Sequence, residues 1–184
     1  MKDRFAAAVA ELSVVTSLID PAAVEAACAT VARAGRIVLY GCGREGLQLR
    51  GFAMRLHHLG LRVAMQGDMA APPVGAGDLL VVSAGPGELA TVTALMRVAR
   101  EAGAEVMFLT AEPETPSAAL ATQVLSIPAQ TMARDRGDAA TSVLPMGSVY
   151  EGALFLLFEV MVLRLRDLLG VSAEAMRARH TNLE

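Results

Sequence analysis

The chain has 184 residues, 54% hydrophobic and 4% aromatic, with ten Met and no Trp, so aliphatic side chains must fill one domain-sized core. A net charge of −3 without any basic block argues against nucleic acid, and Cys28 with Cys42 form neither a disulfide framework nor a metal-ligand spacing. The N-terminus "MKDRFAAAVAEL" is not built like a secretion signal, and the most apolar run, "ALFLLFEVMVLRL", is broken by Glu159 and Arg164. These features predict a cytoplasmic protein with reduced thiols and no membrane contact. His57, His58 and His180 are too scattered to argue for zinc. The apolar excess predicts a homo-oligomer, because some of that surface needs a partner to cover it.

Two amphipathic helices are expected over 3–18 and 22–34, with Asp20 capping the second and Pro21 opening it. "RIVLYG" (36–41) reads as a strand, followed by a helix over 44–59 that stops at Gly60. "LRVAMQ" (61–66) and "DLLVVSAG" (78–85) read as further strands, and "ELATVTALMRVAREAG" (88–103) as a helix ending at Gly103. "AEVMFLTA" is a fourth strand, "SAALA" a short helix and "TQVLSIPA" a fifth strand. A polar stretch over 134–142 leads to a long apolar helix over 146–169, a short last helix and the tail "RARHTNLE". Such alternation predicts an α/β fold: a doubly wound, five-stranded parallel sheet of flavodoxin-like order flanked by helices. We expect one domain over 1–184, with N-terminal helices in 1–34, sheet and ligand loops in 35–130, and C-terminal helices in 145–184.

Ligands of such sheets sit beyond the carboxyl ends of the strands, where strand order reverses. Two glycine-rich turns leave carboxyl ends here, "GCGREG" (41–46) and "AGPGEL" (84–89). The first has the G-x-G-x-x-G spacing of a dinucleotide loop. That reading needs an acid at the end of the second strand to hold a ribose, and Asp68 lies only roughly there. It also leaves the second turn without a role. If the two strands are neighbours, both turns flank one crevice. Glu151 near the start of the long helix can by itself be a dipole-compensating charge, worth ~0.3–1 kcal/mol.

The G-x-G-R-x-G turn at 41–46, "FAMRLHHLG" at 52–60, "GD" followed by Pro72 at 67–72, "GDLLVVSAGPGE" at 77–88, "LPMGSVYE" at 144–151 and the terminal "RHTNLE" resemble the SIS (sugar isomerase) domain family. Within it they look most like the 6-phospho-3-hexuloisomerases. The resemblance implies a cofactor-independent isomerase that moves a carbonyl between C3 and C2 of a hexose 6-phosphate, through an enediolate. It implies Glu151 as base and His58 as a proton donor or hydroxyl ligand in a neighbouring subunit's crevice. His57, one residue earlier, points about 100° away on a helix, so only one of the two shares a site. His180 is a further candidate for reaching across the interface. Gly43, Arg44, Glu45, Ser83, Gly85, Gly87 and Glu88 are expected to hold the substrate, with no metal. A tetramer or dimer is implied.

SIS loops usually read G-x-G-R-S-G and S-G-S-G-E-T, whose hydroxyls and N–H groups surround a phosphate. This chain has Cys42 and Glu45 in the first loop, and Ala84, Pro86 and Leu89 in the second. A carboxylate ~4 Å from a phosphate is repelled by a few kcal/mol at an effective dielectric near 20. Either Glu45 turns to solvent or pairs with Arg50, leaving backbone N–H groups, Arg44 and Ser83 for the phosphate, or the ligand is a different sugar. A sugar-binding protein that keeps the fold without catalysis is the alternative class.

Overall fold

The computed structural model describes residues 1–183. Helices α1 (Lys2–Ser17) and α2 (Pro21–Arg33) come first; the Asp20 side chain accepts from the Ala22 N–H at 2.9 Å and Pro21 takes the first turn, as expected. Then follow β1 (Ile37–Gly41), α3 (Gly43–His58), β2 (Val63–Met65), β3 (Leu79–Ser83), α4 (Ala90–Glu101), β4 (Glu105–Thr110) and β5 (Gln123–Ser126). The long helix α5 (Ser148–Leu169) and the short α6 (Ala173–Ala178) close the chain. "SAALA" belongs to a 3-10 turn, Pro116–Leu120, and the polar stretch is flanked and occupied by two more, Met132–Arg134 and Gly137–Ala139.

All five strands are parallel, in the order β2-β1-β3-β4-β5. The order in which strands are added therefore reverses between β1 and β3, the switch point of a doubly wound sheet. Pairing of Gly41 with Ser83 brings both glycine turns out side by side at that point.

Alternate residues of each strand feed opposite faces, as the period of two requires. Ile37, Leu39, Leu79, Val81, Met107 and Leu109 pack under α1, α2, α3 and α5, with Phe52 stacked on Phe158 at 4.3 Å. Val38, Leu80, Val82, Val106 and Phe108 pack under α4, where Val92, Met96 and Ala99 are buried. β2 is shorter than the 61–66 expected because it sits at the sheet edge and pairs only with β1. α4 starts at 90 rather than 88, since Gly87 is left-handed (φ +88) and Leu89 extended.

The exposed side of α5 carries Phe155, Val160 and Leu163, and α1 exposes Phe5, Val9 and Val14, with Leu18 exposed just beyond its end. No single helix among the described residues is long and apolar enough to cross a membrane; α1 and α2 pass that test only jointly, as a pair bent by 77°.

Candidate functional site

A cleft of about 340 Å³ opens where the two glycine turns emerge, walled by Cys42–Glu45, Pro86, Leu89, Thr131, Met132, Met146, Gly147, Tyr150 and Glu151. Its floor depends on one close approach. The Cβ of any other residue at 46 would stand 2.4 Å from the Gly41 carbonyl oxygen, so only glycine lets α3 start directly against β1.

The opposite wall is the start of α5. Met146 (φ 57) and Gly147 (φ 80) are both left-handed, and this turn, rather than a helix beginning at 146, delivers the chain into α5. Gly147 has the Met132 nitrogen 2.9 Å from where a Cβ would stand, so the segment after β5 packs tightly on the turn. That segment is braced by Gln130. Its carboxamide oxygen accepts from Thr141 N–H, Thr141 Oγ1 and Ser142 N–H, while its nitrogen donates to Asp135 Oδ1 at 2.9 Å. Asp135 in turn accepts from the Met146 N–H.

Arg44 crosses the cleft mouth. Its guanidinium donates to Ser148 Oγ at 2.9 Å and to the Met146 carbonyl, and its Nε lies 3.0 Å from Glu151 Oε2. Start of α3 and start of α5 are thus fastened through one cation. The Glu151 carboxyl lies well inside, with its side chain 14% exposed. Burial pushes its pKa above the ordinary carboxylate value; Arg44 pulls it down and Glu45 pushes it further up.

Glu45 neither turns to solvent nor pairs with Arg50. Its two carboxylate oxygens accept from the Gly85 N–H at 3.1 and 3.0 Å, and one also accepts from the Ser83 hydroxyl. Ser83 Oγ lies 3.2 Å from the hydroxyl of Tyr150, which is wholly enclosed. Burial raises the Glu45 pKa despite the hydrogen bonds from Ser83 and Gly85, which lower it. Tyr150 is raised well above its ordinary value by burial and by the Glu45 charge.

The expected residues divide into three sets. Gly43, Arg44, Glu45 and Glu151 line the cleft directly. Ser83 and Gly85 stand behind Glu45, and Gly85 is so tightly held that an added Cβ would come within 3.0 Å of Tyr150 and 3.1 Å of Thr131. Gly87 makes the left-handed turn, with its N–H on the Ala84 carbonyl, and Glu88 is exposed beyond it. His58 and His180 form a third place: their rings stack at 5.2 Å at the far end of α3, where Arg179 donates to the His58 carbonyl at 3.0 Å. From Glu45 to His58 is thirteen residues of helix, about 20 Å, so within one chain this pair lies away from the cleft. His57 is exposed and His58 buried, as their 100° separation requires.

Sequence reasoning missed Tyr150 and Thr131. Tyr150 sits inside the quoted "LPMGSVYE", and its place directly before Glu151 was the signal. Thr131 lies in a loop with no periodicity. It is 3% exposed, and its Oγ1 is one of two buried side-chain polar atoms, among the described residues, that lack a hydrogen-bond partner. No group of three or more His, Cys, Asp or Glu among the described residues is arranged to hold a metal.

The SIS domain model matches residues 30–156. The chain is 37% identical over 174 residues to the 3-hexulose-6-phosphate isomerase of Mycobacterium gastri, covering 95% of this chain and 86% of the relative. It is 36% identical over 152 residues to the 3-hexulose-6-phosphate isomerase of Methylomonas aminofaciens, covering 82% of each. A hypothetical protein from Methanococcus jannaschii, whose crystal structure infers a molecular function of 3-hexulose-6-phosphate isomerase, shares the fold with a TM-score of 0.85 at 20% identity, over 99% of both chains.

Proposed function

The chain belongs to the SIS domain family, and on that premise we propose that it is a cofactor-independent sugar-phosphate isomerase interconverting 3-keto and 2-keto hexose 6-phosphates. The observation that carries the reading is the Glu151 carboxylate, lodged in the cleft between the two turns with Arg44 beside it. Glu151 takes the proton from C2 of the 3-keto sugar while O3 gains a proton, giving an enediol across C2 and C3. Return of the carbon-bound proton to C3, with loss of the O2 proton, leaves the carbonyl at C2. A carboxylate raised above its ordinary pKa is a stronger base, and Arg44 is placed to offset the enediolate charge as it develops.

In the same proposal the whole chain is one SIS domain of a cytoplasmic homo-oligomer, a dimer or tetramer, whose exposed apolar faces on α1 and α5 meet other copies. His58, stacked on the exposed ring of His180, then serves a neighbouring copy's cleft as proton donor or hydroxyl ligand. Gly43, Arg44 and the residues of the second turn hold the substrate.

The test is turnover of purified protein with fructose 6-phosphate, followed as its 3-keto isomer, alongside thermal shifts with fructose 6-phosphate and with fructose. Interconversion and a larger shift with the phosphorylated sugar support the reading. Absence of interconversion at millimolar substrate overturns it.

A further inference from the structure

The donors at the head of the second glycine turn, residues 83–87, are already spoken for. The Ala84 N–H goes to the Leu109 carbonyl at 3.0 Å, the Gly87 N–H to the Ala84 carbonyl at 2.8 Å, and Pro86 has no N–H. The Gly85 N–H and the Ser83 hydroxyl, the two that face the first turn, both donate to Glu45. A carboxylate with two charged oxygens held by a backbone N–H and a hydroxyl is bound as an incoming oxyanion is bound. A protein side chain thus fills the anion seat of this turn.

The cleft itself is nevertheless built for a ligand. Its wall includes Thr131, whose hydroxyl oxygen is buried without a hydrogen-bond partner. The charges lining it are Arg44, already paired, and the carboxylates of Glu45 and Glu151. With Glu45 seated, a phosphate arriving at the turn finds two carboxylates and one cation.

We infer that Glu45 is an intramolecular competitor for the substrate's phosphate: the sugar phosphate binds by displacing this carboxylate from Gly85 and Ser83, and Glu45 thereby sets how weakly the chain holds phosphorylated sugars. The inference rests on the proposed function for the identity of the substrate. It makes Glu45 a specificity residue: the same cleft accepts an unphosphorylated sugar without any displacement.

Two variants test it, Glu45→Gln, which keeps the size and an acceptor oxygen, and Glu45→Ser, which empties the seat and leaves a hydroxyl. Both lower KM for fructose 6-phosphate, and the inhibition constant of inorganic phosphate, by about tenfold or more, as expected for removing a charge ~4 Å away. Affinity for fructose stays the same. Unchanged or weakened phosphate affinity in the folded variants overturns the inference. Should neither variant fold, carbon-13 NMR of the unaltered protein decides: the Glu45 carboxyl resonance shifts on saturation with fructose 6-phosphate, and a resonance that stays in place overturns the displacement. The two readings fail separately. Turnover by the unaltered protein with no gain from either variant sinks only the role of Glu45. Tighter phosphate binding by the variants, with no isomerisation by any of the three proteins, sinks only the reaction.

Discussion

The two ends of α3 carry different equipment. At its N-terminus, Gly46, Arg44 and Glu45 join two glycine turns and the start of α5 into one cleft, with the Glu151 carboxylate paired to Arg44 and the Glu45 carboxylate held on the second turn. At its C-terminus, about 20 Å away, His58 and His180 stack under Arg179. Gly60 makes that packing possible, since a Cβ there would lie 2.9 Å from the Arg179 guanidinium carbon. A single copy therefore assembles a carboxylate site without a histidine and a histidine pair without a carboxylate site. If both serve one reaction, the fold must bring them together between copies.

The largest effect that bears on this contrast is at the cleft end. Glu151→Gln lowers kcat by about 10²–10⁴-fold, with the oligomeric state by light scattering unchanged. An equally inactive His58→Gln variant mixed with Glu151→Gln, after dissociation and reassembly, recovers part of the lost activity if the two ends meet across copies. Full inactivity of the mixture breaks the shared-site proposal. Next in size is Gly46→Ala: with backbone oxygen 2.4 Å from the new Cβ, α3 has to move, and a loss of ~1–3 kcal/mol is expected in chemical denaturation.

Arg44→Met sharpens the cleft end by its pH profile. As the proposed base, Glu151 has to be deprotonated, so kcat/KM is expected to fall as pH drops through its raised pKa. Arg44 lowers that pKa, and its removal moves the acid limb to higher pH. A limb that stays where it was means that Glu151 is not the titrating base. The smallest effect is that of Thr131→Val. Replacing an unpartnered buried hydroxyl by a methyl leaves thermal stability equal or slightly higher, while substrate KM rises several-fold. A fall in stability without a change in KM assigns Thr131 to the scaffold instead.

Much of this fold is written in short-range patterns. Asp20-Pro21 starts α2, Gly60 and Gly103 follow α3 and α4, and the apolar runs of 37–41, 79–83 and 105–110 give the central strands. Adjacency of β1 and β3, on which the cleft depends, follows from the fold class that these patterns specify. Glu151 was legible through its neighbours in "LPMGSVYE". The seating of Glu45 was not, because its partners lie 38 and 40 residues away and no local rule distinguishes a dipole-compensating glutamate from one that reaches across. Nor was the left-handed pair Met146-Gly147, since a methionine at φ 57 is set by the loop packed on it.

That loop turns on the carboxamide of Gln130, whose oxygen and nitrogen face opposite demands: three donors on one side, a carboxylate on the other. Hydrolysis of this one amide to an acid would exchange a donor for a negative oxygen 2.9 Å from Asp135, and with it loosen the latch on the Met146 N–H. Loss of activity on prolonged storage would then trace to a single nitrogen atom on the residue before the cleft-lining Thr131, detectable as one added negative charge before any unfolding.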